Sequence, residues 1–188
     1  YEGGFEVLGT TFGDYTPSYY YLLYFISLFK IDPESMMLLH AIKWISIVFD
    51  YALAIFASLI CYELTKNKTK TLICYTSIVF GLTVFLNSAL WGQCDAIYVC
   101  FCVASFYFIL KNKPHTSMIM YGFAFAFKVQ SIFILPVYLV MFLRRKFKLR
   151  YLLWVPFVYL IMALPASFAA ENFGTRFGEI WAIFFNQS

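Results

Sequence analysis

Five apolar stretches separated by short charged loops constrain the fold of this chain more than any other feature. They cover residues 45–62, 72–90, 96–110, 116–143 and 151–170. A helix needs ~20 apolar residues to cross the hydrocarbon core of a bilayer, so each stretch is a candidate span. The 188 residues are 62% hydrophobic and only 13% charged, against about 25% charged in soluble domains. The sequence therefore excludes a soluble domain and predicts an all-α, polytopic transmembrane helix bundle.

The basic residues are concentrated in three short loops, which hold ten of the fourteen Lys and Arg residues. These are Lys66, Lys68 and Lys70, then Lys111 and Lys113, and then Arg144, Arg145, Lys146, Lys148 and Arg150. Because Lys and Arg in short loops favour the cytoplasmic face, we expect these loops to be cytoplasmic and the other loops to lie outside. The net charge of only +4 does not indicate a nucleic-acid partner.

The stretch 116–143 has a basic loop at each end, so it must leave and return to the same face. We predict a hairpin of two short helices with its turn near Lys128. Helices of about 12 to 14 residues are roughly 20 Å long, less than the ~30 Å core, but short helices are tolerated beside a water-filled cavity. A single tilted span fits the length instead, but it places Lys128 and Gln130 in mid-membrane.

We expect one domain over residues 1–188. Residues 1–41 form an outer loop with two short interfacial helices, 42–170 form the spans, and 171–188 begin another outer loop. The tyrosine-rich run 19–29 is too short to cross and suits the headgroup level. The second helix is predicted to start with Asp32 as cap and Pro33 at its first position. Since the first residues look like neither a natural start nor a signal peptide, we expect an internal fragment.

Asp14 is the best candidate for a general base. It precedes Tyr15 and Pro17 in the first outer loop. A partly desolvated carboxylate, held by a rigid proline turn at the membrane surface, can accept a proton from an attacking hydroxyl. The alternative interpretation is that Asp14 caps the helix that follows.

A second polar cluster, Trp-Gly-Gln-Cys-Asp at 91–95, falls in another outer loop. Trp91 suits stacking on a sugar face or anchoring at the interface. Gln93 and Asp95 suit hydrogen bonding to sugar hydroxyls, while Asp95 also suits capping the helix that starts at 96.

Lys128 and Gln130 interrupt an otherwise apolar run and form a third cluster. An ionisable residue at this depth is a functional hypothesis, here a contact to the phosphate of a lipid-linked substrate. The alternative is snorkelling of Lys128 to the headgroups. Arg176 is a second phosphate candidate. His40, His115 and the cysteines lack a zinc-ligand spacing, so we predict no metal site and no required cofactor, with a divalent metal left open.

In this order the clusters resemble the polyprenyl-phosphate-sugar-dependent C-type membrane glycosyltransferases. The similarity is strongest to bacterial mannosyltransferases related to the GPI mannosyltransferases and covers nearly the whole chain. The endoplasmic-reticulum glucosyltransferases acting on dolichol-linked oligosaccharide are a more distant likeness, with Asp-Tyr-Pro-Pro where this chain has Asp-Tyr-Thr-Pro at 14–17. Residues 91–95 are similar to the family's Trp-Gly-Gln-x-Asp, and Lys-Val-Gln at 128–130 followed by Pro136 is similar to its Lys-x-Gln and Leu-Pro.

The resemblance implies a catalytic Asp14 and a cavity at the outer face where donor and acceptor meet. It also implies an N-terminal span before this chain and further spans after it. We expect transfer of a hexose, mannose or glucose, from a polyprenyl phosphate to a lipid-linked or glycan acceptor, with inversion. The expected substrate contacts are Tyr15, Trp91, Gln93, Asp95, Lys128, Gln130 and Arg176.

The abundance of Lys, Asn, Ile, Phe and Tyr is typical of an AT-rich bacterial genome and so favours a bacterial plasma membrane, with the endoplasmic-reticulum membrane as the eukaryotic alternative. Membrane lipids are expected partners. A transporter or channel component is a rival hypothesis, in which Asp50, Asp95 and Lys128 mark a path. A non-catalytic scaffold subunit is another.

Overall fold

The computed structural model describes Leu8 and residues 16–32, 35–145 and 147–169. Every longer regular element in these residues is helical: α1 Pro17–Ser27, α2 Met36–Thr65, α3 Lys68–Val79, α4 Leu82–Phe85, a π turn Leu86–Leu90, α5 Asp95–Leu110, α6 Pro114–Phe127, a 3₁₀ turn Val129–Ile134, α7 Leu135–Leu143, a 3₁₀ turn Leu149–Leu153 and α8 Trp154–Ala169. Three segments, Met36–Thr65, Lys68–Leu90 and Leu149–Ala169, are long and apolar enough to cross a membrane. The all-helical, membrane-type prediction is confirmed at this level.

The prediction of two short interfacial helices is wrong for the second one. The first turns of α2 occupy that place, and α2 continues unbroken for 30 residues. Its cap is Ser35, whose hydroxyl accepts a hydrogen bond from the Met37 N–H at 3.0 Å, whereas the backbone carbonyl of the predicted cap Asp32 accepts from the Ser35 N–H, before the helix begins. No Pro or Gly interrupts α2, so nothing separates an interfacial helix from the crossing.

Helix α5 lies at the centre of the bundle, with α2 on one side and α6 on the other, and α6 also packs on α8. Small residues bring these helices close together, as is usual in membranes. A Cβ atom added to Gly122 of α6 would lie 2.8 Å from Cβ of Val158 on α8. The two backbones are therefore in near-contact at this point.

The segment from α6 to α7 divides at Lys128, whose backbone is extended. Tyr138 of α7 contacts the ring of Tyr121 on α6 at 5.0 Å, and its hydroxyl is hydrogen-bonded to Ser105 of α5. Tyr138 of α7 thus lies beside Tyr121, a residue of α6 that precedes the break at Lys128. Helix α7 runs back along α6 toward the end where α6 begins.

The three basic loops meet at one end of the bundle, which we call the basic end. Glu63, in the last turn of α2, accepts hydrogen bonds from Lys66 at 2.7 Å and from Lys111 at 2.6 Å, so the first two loops adjoin. The third loop lies at the same end. Trp154, the first residue of α8 after that loop, donates a hydrogen bond to His115, the second residue of α6 after the second loop. Because α5 has 16 residues, its start at Asp95 lies about 24 Å from this end. We call that opposite end the distal end.

Candidate functional site

An ion pair between Asp95 and Lys128 forms the centre of the distal end. Asp95 is the first residue of α5, and Lys128 follows the last residue of α6. Because α5 and α6 pack side by side and run in opposite directions, these two termini coincide. The Lys128 ammonium donates to Asp95 Oδ1. The side chains of Lys128 and Asp95 are 24% and 35% exposed, so both are largely shielded and still reachable from outside.

This pair decides two alternatives left open by the sequence. Asp95 is not a helix cap, because the cap position of α5 is Cys94 and carries no side-chain hydrogen bond. Asp95 lies within the first turn and turns its carboxylate to another helix. Lys128 does not extend alone into the headgroups, since its ammonium is held by that carboxylate.

The environment of Lys128 keeps its ammonium charged. Burial alone would lower the pKa of Lys128, but the hydrogen bond and the charge of Asp95 outweigh burial and raise the pKa above its ordinary value. The Lys128 ammonium also lies 5.7 Å from the ring centroid of Tyr98, within cation–π range. Lys128 therefore carries a positive charge at the distal end near neutral pH.

Thr16 connects the start of α1 to this pair. Its hydroxyl donates to the Phe127 carbonyl at 3.0 Å, next to Lys128, and its side chain is fully buried. Thr16 is not among the site residues predicted from the sequence, where its one signal is the position directly before the helix-starting Pro17. Asp14 and Tyr15 lie outside the described residues, and Thr16 is their nearest described neighbour.

The turn at 91–95 carries two more predicted site residues. Gly92 has a φ of +68°, which favours glycine, and this conformation turns the chain from the π turn into α5. The Gln93 carbonyl accepts from Ser46 of α2 at 2.8 Å, which fixes the turn against the bundle. Trp91 is 77% exposed, so its ring is free to meet a ligand or lipid.

Gln130 lies two residues after Lys128, in the 3₁₀ turn that begins at Val129. Its side-chain oxygen is buried and has no hydrogen-bond partner among the described residues, and the same holds for the hydroxyl of the neighbouring Ser131. Buried polar atoms without partners are uncommon and costly in proteins. A ligand hydroxyl at this place would satisfy them. Ser131 was not selected from sequence, although it too is a polar residue in an apolar run.

Asp50 does not join the site. Asp50 lies near Ser88 and lines a crevice of about 230 Å³ between α2, α3 and α4, with apolar neighbours such as Val84 and Phe85. Lys43 takes part in none of the three ion pairs between described residues, and its side chain lies beside Gly92 in the turn at 91–95. Arg176 lies outside the described residues.

Comparison with known proteins adds no relative to this description. No protein-family model, curated protein or solved structure matches the chain.

Proposed function

We propose that this chain is part of an integral membrane glycosyltransferase. It moves a hexose from a polyprenyl-phosphate sugar to a lipid-linked or glycan acceptor on the non-cytosolic side. The observation that carries the proposal is the Asp95–Lys128 pair at the distal end, with Thr16 hydrogen-bonded beside it. The sidedness follows from the positive-inside rule, which assigns the basic end to the cytoplasm and so the distal end to the outer face.

Lys128 is suited to hold the donor phosphate. An ammonium group has three donors and forms charge-assisted hydrogen bonds to phosphate oxygens. A phosphate entering the site takes the place of the Asp95 carboxylate as partner of Lys128, and Asp95 is then free to accept from a sugar hydroxyl. As the bond from the phosphate oxygen to the sugar breaks, Lys128 stabilises the charge that grows on the phosphate.

Asp14 is proposed as the base. It precedes Thr16 by two residues. Because two residues of chain span at most ~7 Å, the chain can bring the Asp14 carboxylate to the site from Thr16. The acceptor hydroxyl attacks the anomeric carbon, its proton passes to Asp14, and the polyprenyl phosphate leaves with the electron pair of the broken bond. The anomeric centre inverts. Glycosidases need a second carboxyl group to protonate a basic leaving alkoxide, whereas a phosphate leaves without that help.

The remaining predicted residues are assigned to the sugar and the acceptor. Trp91 offers an exposed ring for stacking on a sugar. Gln93 lies two residues before Asp95 and Gln130 two residues after Lys128, and the buried side-chain oxygen of Gln130, without a partner among the described residues, is a ready acceptor for a hydroxyl. Tyr15 and Arg176 are kept as contacts to the donor.

The described contacts favour an enzyme over a transport path. A path across the membrane would join Asp50 to the Asp95–Lys128 pair. Asp50 instead lines a crevice with apolar residues of α2–α4, and none of the hydrogen bonds between described side chains links it to that pair.

The test is the variant Asp14→Asn in the full-length protein, with Asp32→Asn as control because it removes a carboxylate from the same N-terminal region. Loss of a general base should lower transfer by about 10²–10⁴-fold, with binding of the polyprenyl-phosphate donor retained. Asp32→Asn should transfer at the wild-type rate. Unchanged turnover in Asp14→Asn refutes the assignment.

A further inference from the structure

The basic end carries a surplus of positive charge that the described acidic residues do not neutralise. Nine described Lys and Arg side chains lie there, against Glu63 as the one acid in the same described loops. Both oxygens of Glu63 are already engaged, by Lys66 and Lys111. Seven exposed cations remain without a carboxylate partner among the described residues: Lys68, Lys70, Lys113, Arg144, Arg145, Lys148 and Arg150.

The loops that carry these cations are short and conformationally defined. Each contains a residue with positive φ, namely Lys66 at 50°, Asn112 at 55° and Arg145 at 56°. Such left-handed residues end a helix and turn the chain sharply. The side chain of Asn67 then caps α3 by accepting from the Lys70 N–H at 3.1 Å. The cations are therefore arrayed on one surface at fixed helix ends.

Aromatic side chains lie at the same level as the cations. The Arg150 guanidinium lies 5.2 Å from the ring centroid of Tyr151, and that ring packs edge-on against His115 at 4.6 Å. Trp154 donates from Nε1 to Nδ1 of His115 at 2.9 Å. His115 therefore carries its proton on Nε2, which remains a hydrogen-bond donor on an exposed side chain. Tyr and Trp with an apolar body and a polar tip favour the headgroup layer.

We propose that the basic end binds the headgroups of anionic phospholipids in the adjacent leaflet. The headgroup phosphate is held by Arg150, Lys113 and the Nε2–H of His115, and the cations of the third loop extend the surface. Polybasic segments next to a membrane gain about fivefold in affinity for an anionic surface for each Lys or Arg. This binding is independent of the glycosyltransferase proposal, because it uses the opposite end of the bundle.

The experiment compares two variants that each remove two positive charges from the full chain. Lys113→Gln/Arg150→Gln alters the basic end, and Lys30→Gln/Lys43→Gln leaves it intact. Each purified protein is equilibrated in mixed micelles with phosphatidylglycerol and phosphatidylcholine, and bound lipids are counted by native mass spectrometry. The wild type should retain phosphatidylglycerol in preference, less so as salt rises. The basic-end variant should lose this preference at least tenfold, and the control should keep it.

A third variant separates loss of binding from loss of folding. Lys113→Arg/Arg150→Lys keeps both charges and should keep the preference, and all variants should unfold at wild-type temperatures in phosphatidylcholine alone. The proposal is overturned if the wild type shows no preference for phosphatidylglycerol. It is also overturned if both Gln variants lose the preference equally, since bulk charge alone would then explain the binding. An acidic protein or a nucleic acid as the true partner would produce the first of these results.

Discussion

Breaking the Asp95–Lys128 pair should lower the free energy of unfolding, because the two side chains stabilise the protein by interacting with each other. A double-mutant cycle of Asp95→Asn, Lys128→Gln and both together measures this coupling energy. Two unit charges about 4 Å apart at an effective dielectric of ~20 attract by about 4 kcal/mol. Solvent screening reduces this, since 35% and 24% of the two side chains are exposed and fully exposed pairs yield only ~0.2–1 kcal/mol. The expected coupling energy is therefore about 1–2 kcal/mol.

The assay is equilibrium unfolding in mixed micelles, followed by circular dichroism and Trp fluorescence. Each single variant should be destabilised by about 2 kcal/mol, because each leaves a largely shielded group without its partner. The double variant should lose less than the sum of the singles. Glu63 and Lys66 provide a control cycle at a more exposed pair, since the Lys66 side chain is 62% exposed, and its coupling should be smaller because water screens it. Coupling near zero for Asp95 and Lys128, or no larger than in the control, refutes the interpretation of the distal end.

Two further predictions concern the packing that positions the site. Gly122→Ala should destabilise the protein by about 1–3 kcal/mol, because the new methyl group would lie 2.8 Å from Val158 and force α6 away from α8. The cost should be smaller when Val158→Gly removes the Cβ atom together with its two methyl groups, and thermal unfolding that is equally lowered by Gly122→Ala in both backgrounds would contradict the contact. Thr16→Val should cost about 1–2 kcal/mol, since it leaves the Phe127 carbonyl without its donor. Thr16→Ser keeps the hydroxyl and should cost less, and limited proteolysis should show α1 detached only in the Val variant; equal behaviour of the two would argue against the hydrogen bond.

The helices could be predicted from the sequence because uninterrupted apolar stretches leave the backbone few other options in a membrane. Element starts were predicted less well. Asp32 and Ser35 are both good cap residues, and only the structure shows that Ser35 accepts from the helix. The uninterrupted apolar stretch also begins at 45, whereas the helix begins at Met36, because a helix can continue through single polar residues such as His40 and Lys43.

The pairing of side chains could not be predicted. Asp95 and Lys128 are 33 residues apart, and in helices that are apolar all round no periodicity shows which faces meet. Asp95 alone is equally compatible with a helix cap. The link from Thr16 to Phe127 spans 111 residues and depends on where α1 lies against the break after α6. Such contacts are decided by tertiary packing, not by local pattern.

The most direct test is a structure of the full-length protein with bound polyprenyl phosphate. We expect the phosphate at the distal end, about 3 Å from the Lys128 ammonium, with the Asp95 carboxylate displaced from it. A phosphate bound instead among the loops of the basic end, with the Asp95–Lys128 pair intact, would contradict the proposed enzyme.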